Sequence, residues 1–489
     1  MLRAGMAAVY RAAGRKAETG VEEPVPASAE TLPACSAKAA EIVRRLLVAQ
    51  RTEMLREALD RLRLARLRVP HELLPAALDV QRTELCPAVA AVLGERGPWL
   101  AAQNPDWAWA VATRGPEDEE TAWEEGTLGE RISTLRRVRG RDQALGLAWV
   151  EDVWKSEKAD ARVAMVKALE TGLSPGDELF LERALDDRSV KVREAAAALL
   201  SRLPGSAYAE RAAERADGVL VYYEPATGGL KGMAAGLFGG GRGRLVVDPP
   251  EDLDASWKRD LPGSGPMLWG VGERARSIAR AVETTPLEHW EDRFGLEPAA
   301  IVAAIEGNDW EAAVLIGWCR AVGPHGHRSW ALALWERCYR LGHEDAERRA
   351  AWDVTISTLI GCVDQDSFAR VVSSLLDGGD MPELLSHTFL ALPGPWNDAL
   401  SKVYFEALQE HARKVFFGRR ATTTAHWPNT LRAAAERLSP SCLDLAMITL
   451  PDVPADGQEN HVRGHWRREL EKFEDTLELR RKLVEEIPL

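Results

Sequence analysis

The sequence predicts an all-α protein, an α-solenoid of HEAT-like helical hairpins with a small β-bearing, glycine-rich insertion. Three observations predict this fold. Apolar residues recur at helical spacing along most of the chain, and alanine, leucine, arginine and glutamate, which favour helix, dominate the composition. Prolines and glycines cut the chain into short segments, as stacked hairpins require. The 489 residues are enough for several domains or for one extended array.

The clearest hairpin lies at 175–203. The apolar positions that mark its two helices are Leu179, Leu181, Leu185, Val190, Ala197 and Leu200. Asp186 and Asp187 form the corner just before the second helix. A carboxylate there can accept hydrogen bonds from free backbone N–H groups and meets the positive end of the helix dipole.

This hairpin resembles a HEAT repeat, because a corner aspartate is followed by Val192-Arg193 and by an alanine-rich helix. The likeness is clearest over 131–211. In that family the aspartate and the arginine tie successive repeats together, so the resemblance implies these roles for Asp187 and Arg193, with Asp186 beside them. A weaker copy without the Asp-Asp corner lies 31 residues upstream and places Arg162 on Arg193. Two copies favour a solenoid over a lone hairpin, which remains the alternative.

Residues 131–211 also resemble an uncharacterised bacterial family known only as a domain of unknown function. RDQALGLAWVEDVW at 141–154 and SRLPGS at 201–206 carry the resemblance, with scattered matches at 97–107 and 286–290. Members of the family tend to be encoded beside MoxR-type AAA+ ATPases and proteins with von Willebrand factor A domains. The resemblance therefore implies a partner of one of these two kinds. It implies no catalytic residue, because none is established for the family.

Composition narrows the possible partners and compartment. The net charge of −13 argues against duplex DNA or an anionic membrane as the main partner, because both need a basic surface. Six cysteines are widely spaced without any CxxC, which is typical of reduced thiols in a cytoplasmic protein. No run of eighteen apolar residues is present, so we expect no transmembrane helix.

The pattern of elements predicts four segments. Residues 1–35 form a basic N-terminal tail and proline-rich linker, and 36–215 form an N-terminal helical domain. Residues 216–270 form the glycine-rich insertion with short strands, and 271–489 form a C-terminal helical domain.

Inside the insertion, Val219, Val221 and Tyr223 alternate as in a strand, and 245–247 predict a second strand. The intervening residues 228–243 contain eight glycines, whose backbone N–H groups could cradle a phosphate. The Walker pattern fails, however, because glycine rather than serine or threonine follows the lysine of this segment. A flexible hairpin tip is the favoured interpretation. Met233 and Phe238 would make this tip a docking loop for a partner.

A group of potential zinc ligands lies in the second half of the chain, at Cys319, His325, His327, Cys338 and His343. Structural zinc sites usually bring close ligand pairs on both arms, and only His325 and His327 form such a pair. Buried cysteines and a histidine-bearing turn explain the pattern as well, so we predict no metal and leave the question open. No nucleophile motif is present, and we predict no catalytic residue and no cofactor.

Seventeen tryptophans are the unusual feature of the composition. Most are expected in the core, since aromatic side chains dominate cores and interface hot spots alike. Trp123, in an acidic segment, and Trp466, in the last helix, are candidates for partner binding.

The sequence thus predicts a non-catalytic scaffold or adaptor that binds a protein partner. Two alternatives stay open. One is an enzyme that binds a phosphorylated ligand at the glycine-rich insertion. The other is a HEAT-like DNA-binding repair protein, which needs a basic concave face.

Overall fold

The structure is a computed structural model in which helix predominates. It describes residues 25–80, 82, 84–110, 116–224, 243–249, 255–262, 272–323, 327–344, 352, 355, 357, 359–377, 384–417, 426–445 and 457–487. These residues form 23 α-helices and one two-stranded sheet, so the predicted mostly helical class is confirmed. None of the helices within these ranges is both long enough and apolar enough to cross a bilayer.

The chain divides into two compact units, 1–113 with 482–489 and 114–481. This division differs from the four predicted segments, whose boundaries at 215 and 270 both fall inside the second unit. The C-terminal end of the chain belongs to the first unit, where Nη1 of Arg61 donates to the carbonyl of Ile487 at 3.2 Å.

The first unit contains α1 (Ala37–Ala49), α2 (Thr52–Leu64), α3 (Leu74–Leu78), α4 (Cys86–Ala90) and α5 (Arg96–Ala101). Residues 25–35, the described part of the predicted linker, pack against it, since Ala34 forms a parallel β-bridge with Arg68. Glu30 accepts hydrogen bonds from His71 and from the backbone of Glu95, both at 2.9 Å. This segment is therefore part of the unit. The predicted basic tail lies outside the described residues.

The second unit begins with six helices: α6 (Pro116–Glu125), α7 (Leu128–Arg141), α8 (Gln143–Val153), α9 (Ala159–Ala168), α10 (Glu178–Ala184) and α11 (Val190–Leu200). The helix α6 packs against α7, α7 also packs against α8, and α10 packs against α11. The helices α7, α9 and α11 pack on one another in chain order, because α7 contacts α9 and α9 contacts α11. Alanines at 195–197 are buried on α11, and their small side chains allow this close approach.

The predicted strands follow α12 (Ala207–Val219), as β1 (Leu220–Tyr223) and β2 (Arg244–Val247). They pair antiparallel with Leu220 opposite Val247, which confirms the predicted pair of strands. The alternation is shifted from that prediction, because Val219 ends the helix and Val221 and Tyr223 lie on the exposed face. The helix α13 (Ala255–Asp260) follows the sheet.

The remaining helices of the second unit are α14 (Glu273–Glu283), α15 (Leu287–Phe294), α16 (Pro298–Ala304), α17 (Glu311–Val322), α18 (Arg328–Glu344), α19 (Gln365–Asp377), α20 (Leu384–Ala391), α21 (Asp398–Phe417), α22 (His426–Arg437) and α23 (Gly457–Glu486). The last residues of α23, from 482 onward, belong to the first unit. Large aromatic side chains fill their core. The fully buried tryptophans are Trp290, Trp318, Trp330, Trp335, Trp427 and Trp466. The prediction that most tryptophans are core residues holds for these six.

Arg139, near the end of α7, is completely buried, and its guanidinium makes six hydrogen bonds. Nη1 and Nη2 each donate at 2.8 Å to a different carboxylate oxygen of Asp177, which is 1% exposed. The other acceptors are the carbonyls of Gln143, Leu169, Thr171 and Gly172. This one side chain therefore joins the turn before α8 to the turn after α9.

Two glycines make room for Arg139. A Cβ at Gly146 of α8 would lie 2.6 Å from Cδ of Arg139. Gly172 has φ of +65°, and a Cβ there would lie 2.8 Å from the carbonyl oxygen of Arg139. Both positions therefore need the close approach that only glycine permits.

We expect Gly146→Ala to lower the free energy of unfolding by about 1–3 kcal/mol, because the methyl group would displace the Arg139 side chain. Gly140→Ala is the matched control, since Gly140 is exposed in α7 and a methyl group there would meet no described atom within 4 Å. It should raise stability by up to about 1 kcal/mol through helix propensity. Urea denaturation of both variants measures the difference, and equal stabilities would contradict the packing described for Arg139.

Candidate functional site

Asp187 lies at the corner between α10 and α11 and pairs with Arg162 of α9. Nη2 of Arg162 donates to Oδ1 at 3.1 Å, and Nε lies 3.0 Å from Oδ2. The exposed fractions of the two side chains are only 5% for Arg162 and 9% for Asp187. Oδ1 also accepts from the backbone N–H of Ser189 at 2.8 Å. The corner carboxylate thus joins α9 to the corner between α10 and α11 and helps to start α11.

Arg193, the arginine implied by the HEAT resemblance, donates to the carbonyl of Asp187 at 2.7 Å. This bond stays within its own hairpin. Arg162 makes the same kind of bond, since its Nη1 donates to the carbonyl of Glu157 at 2.6 Å. The two arginines therefore have equivalent backbone contacts, and Arg162 adds the link to the next corner.

A third copy of this arrangement lies 31 residues earlier, at Arg131 of α7. Nη1 of Arg131 lies 2.7 Å from Oε1 of Glu157, and its guanidinium lies 4.7 Å from the centre of the Trp123 ring. The guanidinium of Arg162 likewise lies 5.6 Å from the Trp154 ring. Sequence reasoning missed this copy, although the 31-residue spacing of both the arginines and the tryptophans carries the signal.

Asp186, the other corner acid, pairs with Arg259 of α13. Nε and Nη2 of Arg259 donate to its two carboxylate oxygens at 2.8 and 3.1 Å. The hydrogen bond from Arg259 lowers the pKa of Asp186, and the slight burial of the carboxylate opposes this. The exposed acid therefore ties α13 to the corner between α10 and α11.

Asp260, at the end of α13, is 1% exposed and accepts from two arginines of α12. Nε of Arg211 donates to Oδ2 at 2.8 Å, and Nη1 of Arg215 donates to the same oxygen at 2.7 Å. Burial alone would raise the pKa of Asp260, but the hydrogen bonds from Arg211 and Arg215 outweigh it, and the pKa is lowered. The carboxylate is thus held ionised inside the fold.

An open groove lies beside the Asp186 corner, between α8 and α10, with a volume of about 620 Å³. We call it the Leu179 groove, and its apolar lining consists of Leu147, Leu179 and Phe180. Leu179 is 79% exposed, whereas Phe180 is buried. Glu151, Glu182, Arg183, Asp186 and Arg259 also line the groove. These charged side chains form ion pairs with one another. Glu151 pairs with Arg183, and Arg259 pairs with both Glu182 and Asp186.

A larger groove of about 870 Å³ lies between α11 and the C-terminal ends of α14 and α17. We call it the arginine groove, because Arg202, Arg280 and Arg320 line it from three different parts of the chain. Its lining also includes the start of α15 and His327. The two grooves share no lining residue, so they are separate concave surfaces.

Comparison with known proteins identifies a family. A model of a family of unknown function (DUF5691) matches residues 1–487. The chain belongs to this family. No curated protein matches the chain, and no solved structure matches it.

The tryptophans predicted to bind a partner are buried. Trp123 is 5% exposed and stacks on Trp149 with 5.5 Å between the ring centres, while Trp466 is 1% exposed. Their rings pack in the core, so neither presents an exposed face. Met233 and Phe238, together with all of the glycine-rich segment except Gly243, lie outside the described residues.

The potential zinc ligands, at which we predict no metal, are only partly described. Cys319 of α17 and Cys338 of α18 are buried with 3.7 Å between their sulfur atoms, and burial raises the pKa of Cys319. His327 lies instead in the arginine groove, 3.4 Å from Glu288. His325 and the side chain of His343 are outside the described part. Among the side chains that the structure does describe, no three His, Cys, Asp or Glu residues are placed to hold a metal ion.

The two corner acids give a matched pair of variants. We expect Asp187→Ala to lower the free energy of unfolding by about 3 kcal/mol, because it leaves a buried guanidinium without its carboxylate. Asp186→Ala should cost less than about 1 kcal/mol, since its ion pair with Arg259 is largely exposed. Chemical denaturation of both variants tests this order, which an equal loss from the two substitutions would contradict.

Proposed function

We propose that the protein is a non-catalytic scaffold that binds a protein partner, and that its hairpins from α6 to α11 stack as HEAT-like repeats of an α-solenoid. The consecutive contacts of α7, α9 and α11 support this arrangement. So does the recurrence of the corner pairs of Arg131 with Glu157 and of Arg162 with Asp187. Stacked repeats of this kind present extended surfaces to partners.

The buried polar contacts support a rigid platform. Arg139 and Arg162 bind acceptors fixed in neighbouring turns, so the hairpins have little freedom to shift against one another. A rigid surface loses little conformational freedom on binding, which favours affinity.

The Leu179 groove is the observation that carries the proposal. Isolated exposed leucines are common on proteins, but Leu179 lies in a groove between two helices, next to a buried phenylalanine. Burying such a side chain against a partner contributes about 1.5–3 kcal/mol. The rim carries acidic and basic side chains that form ion pairs. An apolar centre with a polar rim is the usual anatomy of a protein interface. An amphipathic helix of the partner would fit between α8 and α10.

For the identity of this partner, the resemblance described from the sequence suggests two candidates. Genes of the resembling family tend to lie beside those of MoxR-type AAA+ ATPases and of proteins with von Willebrand factor A domains. We therefore propose one of these two proteins as the partner that occupies the Leu179 groove.

We expect Leu179→Asp to abolish capture of the partner, because an aspartate at the centre of an apolar contact leaves a desolvated charge unpaired. The measurement is co-purification of each candidate with the tagged protein, followed by titration of the purified pair. Leu64→Asp is the matched control, since Leu64 is 58% exposed and does not line the groove. Binding of neither candidate to the wild type, or equal binding by both variants, would contradict the proposal.

A further inference from the structure

We propose that Cys319 and Cys338 form a redox modification site, at which a hydroperoxide oxidises their two thiols to a disulfide that links α17 to α18. Cys319 lies on α17 and Cys338 lies on α18, and these two helices pack against each other. The site goes beyond the proposed function, because neither cysteine lines the Leu179 groove.

The distance between the two thiols supports this pairing. Their sulfur atoms lie 3.7 Å apart, and both cysteines are free thiols in the structure. A disulfide brings its sulfur atoms to about 2.0 Å, so the remaining gap is about 1.7 Å. Rotations of about 30° around the two Cα–Cβ bonds shift the sulfur atoms by this much at a small energetic cost. The bond can therefore form while α17 and α18 stay packed.

The surroundings of the pair favour the disulfide once it has formed. Cys319 is 4% exposed and Cys338 is fully buried, and both belong to the core that contains Trp318 and Trp335. A disulfide carries no charge and no S–H donor, so it suits an apolar core. Exposed disulfides are the readily reduced ones, and burial keeps reducing thiols away from this bond.

Burial also determines which oxidant can reach the pair. The thiolate is the reactive form of cysteine, and burial raises the pKa of the Cys319 thiol. Oxidation is therefore slow, and it proceeds through brief local openings between α17 and α18 that admit a small molecule. A hydroperoxide meets this requirement, whereas a bulky aromatic disulfide does not.

The reaction balances in two steps. First, the thiolate sulfur of one cysteine attacks a peroxide oxygen, the O–O bond breaks, and a sulfenic acid forms while an alcohol, or water from hydrogen peroxide, leaves. The sulfur of the other cysteine then attacks the sulfenic sulfur, the S–S bond forms, and water leaves with the thiol proton. The two thiols thus lose two electrons and two protons to the peroxide. The second thiol, 3.7 Å away, is placed to trap the sulfenic acid before another peroxide oxidises it further.

The disulfide would stabilise the helices that it joins. It closes a loop between two cysteines that lie 19 positions apart in the chain. Such a cross-link restricts the unfolded chain, so the oxidised protein should unfold at a higher urea concentration than the reduced protein. Cys319 directly precedes Arg320 and Ala321, which line the arginine groove, so the bond would also fix this wall of the groove to α18.

The test treats the reduced full chain with hydrogen peroxide in the presence of a metal chelator. We expect peptide mapping by mass spectrometry, after alkylation of the remaining thiols, to find Cys319 joined to Cys338. The urea midpoint should rise on oxidation, and dithiothreitol should reverse the rise. Cys319→Ala and Cys338→Ala should each form no such cross-link and show no rise. Cys442→Ala is the matched control, because Cys442 is also buried, whereas its sulfur atom contacts the Ser441 hydroxyl and the Asp398 carbonyl.

Three results would overturn the proposal. The first is absence of the peptide that joins Cys319 to Cys338 after peroxide has oxidised the half-buried Cys362. The second is a cross-link of either cysteine to Cys362 in its place. The third is an unchanged or lower urea midpoint in protein whose cross-link is verified. Mapping of the wild type decides the first two results even if an alanine variant fails to fold. Leu179→Asp should form the cross-link as the wild type does, so failure of the proposed function leaves this test intact.

Discussion

The buried ion pair between Arg139 and Asp177 is the contact on which the packing of the helices α7 to α10 depends. Removing two charges from water is expensive, and only complete hydrogen bonding makes such a pair tolerable. Arg139 meets that condition, because two of its hydrogen bonds reach the carboxylate and the others reach backbone carbonyls of neighbouring turns. Those carbonyls would otherwise need other partners, so one guanidinium satisfies the turns and fixes their relative positions.

The same physical logic recurs at the corners. The helix α11 is rich in alanine, and small side chains alone do not determine how helices align. Specific alignment comes from the pairs of an arginine with a carboxylate, at Arg162 with Asp187 and at Asp260 with the arginines of α12. The later helices use large aromatic side chains instead, such as Trp318 and Trp330 with 5.4 Å between ring centres. Polar alignment and aromatic packing thus stabilise different parts of one unit.

The sequence predicts the local features well because they depend on neighbouring residues. Helical spacing identified most helices, and alternation identified the two strands. A single sequence does not show which face of a helix is covered by another element, so it did not reveal that Trp123 and Trp466 are buried. The pair of Arg139 with Asp177 was missed because the two residues lie 38 positions apart and neither belongs to a recognised motif. The Leu179 and arginine grooves likewise arise from tertiary packing, which spacing alone does not encode.

The most direct test of the role of this ion pair is a double-mutant cycle on Arg139 and Asp177, in which the free energy of unfolding of each variant is measured. Arg139→Met and Asp177→Leu should each lose about 3–5 kcal/mol, because each leaves a buried charge unpaired. The double variant should be more stable than the sum of the two losses predicts, by more than about 1 kcal/mol. Arg136→Met is the control, because Arg136 is exposed. Losses below about 1 kcal/mol for both single variants, no greater than the loss for this control, would contradict the role of the Arg139–Asp177 pair.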